Sequence, residues 1–367
     1  MKLRYKILNS LLGLLVIAAV SLGLLLSHNS ACEPPAAAAD QAQSIRAIVY
    51  TCYGSPEVLK LARIDKPVPG ANEVLVKVHN ASVNPLDWHY MRGSPYFMRL
   101  SSGIGAPANQ SFGADFAGTV ETVGPNVTKY QPGDEVFGGR TGAFGEYVVI
   151  GQDRALAAIP PGVTLEQAAT VPIAGVSALQ ALRDQGKVTA GMKVLINGAS
   201  GGVGTFAVQI AKAMGAEVTG VCSDRNVEMV RSLGADHVID YRKQDYTTSG
   251  ETYDVIIDNV GNHSPRENSR ALVPGGKLVM VGGPSGDWIG PLVNPLKAAL
   301  LSPFSDKSFI LFMAELNPQD LAQLAGMIQS GELTPVIDRR FGLSEVPAAV
   351  GYSEEGRARG KILVTIP

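Results

Sequence analysis

The stretch Asn197-Gly198-Ala199-Ser200-Gly201-Gly202-Val203-Gly204 decides the fold. A compact apolar run, residues 193–197, precedes it, and residues 203–214 follow with the apolar spacing of a helix. A strand, a glycine-rich turn and a helix in this order predict a dinucleotide-binding unit. We expect Gly201 to let the backbone approach a pyrophosphate and Gly204 to let helix and strand pack closely. The alternative is a glycine-rich turn that holds no ligand. The cofactor-binding residues predicted in this turn are Ala199, Ser200, Gly201, Gly202, Val203 and Gly204.

Strands and helices alternate on the C-terminal side of the turn. Strand patterns are found at residues 217–222, 237–240, 254–258 and 277–281, and a helix pattern at residues 226–233. This alternation predicts right-handed βαβ crossovers and a doubly wound parallel sheet, which is an α/β fold.

The chain before the turn is mostly β. Residues 73–79 alternate with period two, as a half-buried strand does, and three similar runs occur at residues 47–50, 118–124 and 145–150. The C-terminal part has a helix pattern at residues 318–330 and a last strand at residues 361–366. We expect this tail to return to the first, β-rich part.

The end of the second strand indicates which dinucleotide binds. A common NAD site has an acidic residue there, whereas this chain has Cys222. Ser223 and Arg225 offer a hydroxyl and a guanidinium where a 2′-phosphate would lie, and Asp224 is the one opposing charge. We therefore predict NADP(H) rather than NAD(H). The alternative is that Arg225 is only a solvated cation at the start of the next helix.

Five further motifs accompany the glycine turn. They are residues 82–87 (SVNPLD), 113–118 (GADFAG), 132–137 (PGDEVF), 207–212 (AVQIAK) and 359–361 (RGK). With these motifs the chain resembles the medium-chain dehydrogenase/reductases, in their zinc-independent quinone oxidoreductase and enone reductase branch. The resemblance extends over nearly all of residues 45–367.

This resemblance implies a Rossmann doubly wound parallel sheet inserted in a GroES-like β domain, with substrate bound between them. The expected divisions are residues 45–171 with 312–367 for the GroES-like domain and residues 172–311 for the Rossmann domain. We expect residues 1–44 to be an N-terminal hydrophobic helix, as a membrane anchor or a signal, followed by a linker. The resemblance also implies that Tyr241 contacts the 2′-phosphate, and we expect Asn259 and Lys361 to contact the cofactor.

The metal ligands of the zinc-dependent relatives are missing. Those relatives carry a cysteine in the segment that matches residues 83–87, and a His-Glu pair where this chain has Ala114 and Asp115. Catalytic zinc needs three good protein ligands and an open position, so we predict no metal site.

A hydrogen-bond donor must then polarise the substrate carbonyl. Asn84 matches the family and is the first candidate, and Tyr90 is the second; His89 is a nearby donor for which a packing role is favoured. For each there is a structural alternative, because Asn84 can shape the loop and Tyr90 can be a packing residue.

The first 44 residues follow a different pattern. Lys2, Arg4 and Lys6 precede a largely apolar run at residues 7–26, which is long enough to span a bilayer. We predict a single-pass N-terminal anchor in a lipid bilayer; the alternatives are a cleaved secretory signal and a lipoprotein signal ending at Cys32. The basic residues at the start favour a cytoplasmic N-terminus, which would place the enzyme on the opposite side of the membrane, where NADPH is scarce. The sequence therefore does not decide which face of the membrane carries the enzyme.

Cysteine content and charge exclude other classes of protein. Three cysteines without Cys-x-x-Cys spacing exclude a disulfide scaffold and a cysteine-rich zinc site. A net charge of −2 without clusters of basic residues argues against binding of nucleic acid.

The function predicted from these observations is an NADPH-dependent, zinc-independent oxidoreductase that transfers hydride to a quinone or an α,β-unsaturated carbonyl compound. The alternative is a non-catalytic, NADP(H)-binding, membrane-attached partner or scaffold protein. A lipid-like enal or quinone as the natural substrate is a narrower version of the first hypothesis. The resemblance also implies a homodimer, because dimers are common in the family.

Overall fold

A computed structural model describes residues 2–284, 286–288 and 290–367 of the chain, with the side chains of residues 2–12 and 15 left undescribed. The α-helices are α1 Lys2–Ser27, α2 Pro85–Arg92, α3 Arg99–Ser102, α4 Leu165–Ala169, α5 Pro172–Gln180, α6 Gly202–Ala213, α7 Val227–Ser232, α8 Pro265–Asn268, α9 Gly290–Leu301, α10 Pro318–Ser330 and α11 Val346–Glu354. The strands are β1 Ser44–Val49, β2 Lys60–Asp65, β3 Glu73–Val83, β4 Asp115–Val123, β5 Glu135–Gly139, β6 Tyr147–Gly151, β7 Leu156–Ala158, β8 Lys193–Asn197, β9 Glu217–Cys222, β10 His237–Asp240, β11 Tyr253–Asp258, β12 Leu272–Met280, β13 Ser308–Leu311, β14 Ile337–Gly342 and β15 Lys361–Thr365.

A six-stranded parallel sheet follows the glycine turn. Its order is β10-β9-β8-β11-β12-β13, so the chain starts in the middle with β8, runs to one edge, and then returns to fill the other half. The doubly wound sheet is therefore confirmed. The order reverses between β8 and β11, and a dinucleotide binds at such a switch point, beyond the carboxyl ends of the strands.

A seven-stranded sheet forms the β-rich part. Its order is β14-β15-β3-β4-β5-β7, with β6 paired to β3. The last strand, β15, lies antiparallel to β3, with Ile362 opposite Val83. The C-terminal tail does return to the first part of the chain, as predicted. Phe116 and Phe144 fill the interior of this part and are fully buried, whereas Phe137 packs in the core that the β-rich part shares with the parallel sheet and its helices.

The predicted membrane anchor at residues 7–26 is wrong. In the parts of the chain that the structure describes, no helix is long and apolar enough to cross a bilayer. Residues 7–12 and 15, which belong to the predicted anchor, have side chains outside that description. The end of α1 packs on the folded part instead: Leu26 is buried. The Arg99 guanidinium donates hydrogen bonds to the carbonyl oxygens of Leu26 and His28, at 2.8 and 2.9 Å. The predicted membrane localisation depended on this anchor and is wrong as well.

One disulfide joins the leader, residues 1–44, to the rest of the protein. Cys32 and Cys52 are bonded, with their Cα atoms 4.9 Å apart. The sequence excluded a disulfide scaffold, but it did not indicate this single bond. Two hydrogen bonds lie on either side of it, from Ser30 N to Gly105 O and from Thr51 Oγ1 to Glu33 O.

Candidate active site

The glycine turn leaves the first turn of α6 without a side-chain cap. Gly201 is the N-cap residue and has no side chain to accept from the N–H groups that begin the helix. Such groups have no partner inside the helix and, with the helix dipole, favour an anion. Hydrogen bonds to β9 hold the turn in place, because the backbone N–H groups of Gly198 and Ala199 both donate to Val221 O.

Two glycines of the turn are required for different reasons. A Cβ atom on Gly204 would lie 2.1 Å from Gly198 O and 2.7 Å from the Cα atom of Ala199. Gly204 therefore allows α6 to pack against the turn. A Cβ atom on Gly201 would contact only Gly198 O, at 3.5 Å, among the described atoms. The space in front of Gly201 is open to a ligand.

The predicted 2′-phosphate residues gather at the end of β9. Ser223 is buried, and its hydroxyl accepts a hydrogen bond from Asn226 Nδ2 at 3.3 Å. The same amide nitrogen lies 3.0 Å from Ser200 Oγ, and this contact joins the glycine turn to the segment that follows β9. Arg225 is exposed and donates to Arg357 O, and Tyr241 is also exposed, with its backbone N–H bonded to Cys222 O.

The charge of Asp224 has a partner in this region. Arg242 Nη1 lies 3.4 Å from Asp224 Oδ1 on the surface. The guanidinium of Arg242 also lies near the ring of Tyr241, 6.0 Å from its centroid. Burial raises the pKa of the Cys222 thiol to about 11, so this side chain is a neutral, packed group at neutral pH.

Asn259 lies at the switch point of the sheet. Its Nδ2 atom donates to Asn197 O at 3.0 Å, and its Oδ1 atom is buried with no hydrogen-bond partner among the described residues. Asn226 Oδ1, beside Ser200, is another such atom. Buried polar atoms are nearly always paired, so these two acceptors favour a polar ligand along this edge. Together with the open space at Gly201, they fit a dinucleotide.

A cleft of about 1210 Å³ lies between the two sheets. One wall comes from the β-rich part and includes Tyr50, Asp87 and Tyr90. The other includes Ile173 on α5, with Val281 and Phe312, which follow β12 and β13. The cleft therefore borders the carboxyl edge of the parallel sheet, where the reactive end of a dinucleotide would reach a small molecule.

The predicted catalytic residues occupy different places. Tyr90 lies in the wall of the cleft and is 39% exposed. Asn84 is 1% exposed and is not part of the cleft lining. His89 is half-buried: its Nδ1 atom lies 2.7 Å from Ser94 O and its ring stacks on Trp88, which agrees with a packing role.

Asn84 belongs to a buried polar cluster with Lys361 and Asp115. Lys361 Nζ donates to Asn84 Oδ1 and lies 3.3 Å from Asp115 Oδ2. Asn84 Nδ2 donates to the same carboxylate oxygen at 2.8 Å. The ammonium of Lys361 thus points into the β-rich part, while a Cβ atom on Gly202 would touch its Cδ atom. Burial lowers the pKa of Lys361, and Asp115 opposes that shift.

Sequence reasoning did not single out Asp87, a titratable residue of the cleft. It is almost fully buried in the wall of the cleft, and burial raises its pKa to about 7. The one signal in the sequence was an acid three residues after Asn84 in the Asn-Pro-x-Asp stretch, which indicates a helix cap and nothing more.

No group of three or more histidine, cysteine, aspartate or glutamate side chains that could hold a metal ion occurs in the described part of the chain. Asp115, which stands in the His-Glu position of zinc-dependent relatives, pairs with Lys361 instead.

The fold and the site define a dinucleotide-dependent oxidoreductase, and comparisons with known proteins agree. A family model described as alcohol dehydrogenase GroES-like domain matches residues 70–161, and one described as zinc-binding dehydrogenase matches residues 233–364. A trans-enoyl reductase of Aspergillus terreus is 36% identical over 319 residues, covering 81% of this chain and 87% of the relative. A mitochondrial NAD(P)H oxidoreductase of Mus musculus is 34% identical over 351 residues, covering 86% and 87%.

The solved quinone oxidoreductase from Coxiella burnetii superposes with a TM-score of 0.78 at 30% identity, covering 88% of this chain and 100% of that one. The chain therefore belongs to the medium-chain dehydrogenase/reductase superfamily, in its zinc-independent quinone oxidoreductase branch. It is an oxidoreductase that uses a nicotinamide cofactor, and the alternative of a non-catalytic scaffold protein has no support among these relatives.

Proposed function

We propose that this protein is an NADPH-dependent reductase of quinones or α,β-unsaturated carbonyl compounds. The observation that carries the proposal is the end of β9, where a buried neutral thiol, Cys222, replaces the acid of a common NAD site. When bound, the nicotinamide supplies hydride to the substrate.

The charges around Ser223 support the choice of NADPH. Arg225 and Arg242 bring two guanidinium groups to this surface, and Asp224 is paired with Arg242. Lys243 pairs with Asp240 at the same edge, so the five charges of Arg225, Arg242, Lys243, Asp224 and Asp240 sum to one positive charge beside the Ser223 hydroxyl and the Tyr241 phenol. Guanidinium groups suit phosphate because they donate in a planar fork. The ribose 2′-phosphate would lie among these groups, and the pyrophosphate would lie at Gly201 and the start of α6.

The cleft supports a small-molecule substrate. In this proposal Tyr90 is the hydrogen-bond donor to the substrate carbonyl, since its side chain is partly exposed in the cleft wall. Asn84, the first candidate donor from the sequence, is a positioning residue in this proposal, because its amide is engaged by Lys361 and Asp115. Lys361 acts through this cluster and through its packing beside Gly202. The division into residues 45–171 with 312–367 and residues 172–311 is part of the proposal, with substrate between the two. The quinone or enone class follows from what the relatives are named for.

The test is a steady-state comparison of NADPH and NADH with a panel of quinones and enones. We expect NADPH to be preferred, and the double variant Arg225→Ala/Arg242→Ala to raise KM for NADPH at least about tenfold with little change for NADH, since hydrogen bonds to charged groups contribute about 1.5–3 kcal/mol. Arg231→Ala is the matched control, because Arg231 is an exposed arginine of α7 that pairs with Glu228. Equal use of both cofactors, or no turnover of any compound in the panel, would refute the proposal.

A further inference from the structure

Asp87 is a buried carboxyl group in the wall of the cleft. Its residue exposure is 3%, and it lies in the same wall as Leu86, Tyr90 and Tyr50. It belongs to the first turn of α2, which begins at Pro85. A carboxyl group in a substrate cleft is in position to exchange a proton with the bound molecule.

Among the described residues, only one of the two carboxyl oxygens of Asp87 has a hydrogen-bond partner. Oδ2 accepts a hydrogen bond of 2.7 Å from the backbone N–H of Asn84. Oδ1 has no hydrogen-bond partner among the residues that the structure describes, yet it is not one of the fully buried unpaired atoms. It therefore retains access to the cleft. The backbone bond fixes the direction of the carboxyl group and leaves Oδ1 free for a ligand.

The surroundings of Asp87 favour its neutral form. Burial raises its pKa to about 7, the Asn84 bond lowers it, Asp115 raises it and Lys361 lowers it. Two phenols, Tyr50 and Tyr90, lie in the same wall, and the pKa of Tyr50 is raised mainly by burial, with a smaller contribution from Asp87. Near neutral pH a substantial fraction of the carboxyl groups therefore carry the proton, as a general acid must.

We propose that Asp87 is the catalytic acid of the reduction and delivers to the substrate the proton that accompanies hydride. This role rests on the proposed function. Hydride addition to the β-carbon of an enone leaves an enolate anion. The Asp87 O–H bond breaks, the proton forms a C–H bond at the α-carbon, and the electron pair of the broken bond stays on the carboxylate. With a quinone, the proton forms an O–H bond on the anionic oxygen of the hydroquinone. The carboxylate then regains a proton from solvent in the cleft.

The deciding variant is Asp87→Asn, which keeps the size of the side chain and an acceptor for the Asn84 N–H. The substrate is an enone with a methyl group on the α-carbon, so that the face of protonation is recorded in the product. We expect the wild type to give one enantiomer, with a rate that falls as the pH rises through about 7. The variant should lose about a hundredfold in kcat, give a nearly racemic product as water protonates the enolate, and lack that decline in rate. An enantiopure product with an unchanged pH profile would overturn the proposal.

Asp134→Asn is the matched control. Asp134 Oδ2 also accepts from a backbone N–H three residues earlier, that of Gln131 at 2.9 Å, but Asp134 does not line the cleft. This variant should keep the rate, the enantiomer and the pH profile of the wild type. A general effect of removing a carboxylate that accepts from a backbone N–H three residues earlier would appear in both variants and would count against the proposal.

An infrared titration of the cofactor-free protein separates this proposal from the proposed function. A band of protonated carboxyl groups should persist in the wild type up to about pH 7 and be weaker in Asp87→Asn, where only a contribution from Asp258, whose pKa burial also raises, should remain. A wild type whose band at pH 6 is no stronger than that of Asp87→Asn refutes the acid while leaving the reductase intact. A wild type that shows the band but reduces no quinone or enone refutes the proposed function, and the catalytic role of Asp87 with it.

Discussion

The ammonium of Lys361 donates a hydrogen bond to the Oδ1 atom of Asn84, so the last strand of the chain is tied to the loop that begins α2. The residue before Lys361 contacts the glycine turn, since Gly360 N donates to Ser200 O at 3.0 Å. One short segment, Gly360 and Lys361, therefore touches both the turn and the cluster behind the cleft wall. Asp115 extends this connection to α5, because its Oδ1 atom accepts from the backbone N–H of Ile173.

Lys361→Met should be strongly destabilising. The side chains of Lys361 and Asp115 are 2% and 0% exposed, so the substitution leaves a carboxylate buried without its counter-charge. We expect the free energy of unfolding to fall by about 3–5 kcal/mol, measured by denaturant titration. The control is Lys212→Met, which removes a partly exposed ion pair with Asp236 and should cost about 1 kcal/mol or less. Equal losses in the two variants would contradict this interpretation of the cluster.

Substitutions at Gly201 and Gly204 should separate cofactor binding from stability. Gly204→Ala places a methyl group against the backbone of the turn, and we expect a loss of about 1–3 kcal/mol in unfolding free energy. Gly201→Ala meets open space with an ordinary φ of −85°, so stability should change by less than about 0.5 kcal/mol. NADPH affinity, followed by fluorescence titration, should nevertheless fall at least about tenfold in Gly201→Ala, because the methyl group occupies the pyrophosphate position.

Gly326→Ala is the control for this pair. Gly326 lies on the exposed side of α10, and no described atom lies within 4 Å of the place that an alanine methyl group would take. Alanine should therefore stabilise the helix by up to about 1 kcal/mol. A stable Gly204→Ala variant, or a Gly201→Ala variant with wild-type affinity, would show that the roles assigned to these glycines are wrong.

The parallel sheet could be predicted from the sequence because its strands carry local signals. The patterns at β8, β9 and β10 gave the observed bounds, and the glycine turn supplied the context. β13 was missed, since its short Ser308–Leu311 run has two partly buried residues and lies at the edge of the sheet. An edge strand with little buried apolar surface has a weak pattern.

The polar cluster and the disulfide could not be predicted, because both depend on distant parts of the chain. Lys361 and Asn84 are 277 positions apart, and the Cys32–Cys52 bond depends on where the leader lies on the surface. The apolar run of α1 suggests a membrane anchor because its composition is visible in the sequence, whereas the docking of Leu26 and His28 on Arg99 is not. Asp87 was overlooked for the same reason: its burial is a property of the assembled cleft.

The Cys32–Cys52 bond should protect the leader from proteolysis. Residues 28–40 are mostly exposed, and besides the disulfide they are held by a few hydrogen bonds, such as Ala39 N to Asp65 Oδ1 at 2.8 Å. We expect Cys32→Ser to accelerate cleavage within this segment several-fold in limited proteolysis followed by mass spectrometry, because exposed, weakly held chain is the preferred site of nicking. The body from Ile45 on should resist cleavage equally in both proteins. Equal cleavage of the leader with and without the bond would mean that the hydrogen bonds alone hold it.

Ionisation of Asp87 should make the wild type less stable as the pH rises. Burial raises the folded-state pKa of this carboxyl to about 7, whereas an unfolded aspartate titrates near 3.9. Between these values the folded protein binds the extra proton, so the contribution of Asp87 is fully favourable at low pH and is lost as the pH rises to about 7. Asp87→Asn has no such group. The unfolding free energy of the variant relative to the wild type should therefore increase by roughly 3 kcal/mol between about pH 5 and about pH 8. Denaturant titrations at both pH values measure this difference, and Asp134→Asn serves as the reference for removing a carboxylate that accepts from a backbone N–H outside the cleft. A constant difference between wild type and Asp87→Asn across that range would mean that Asp87 is already ionised in the folded protein at pH 5.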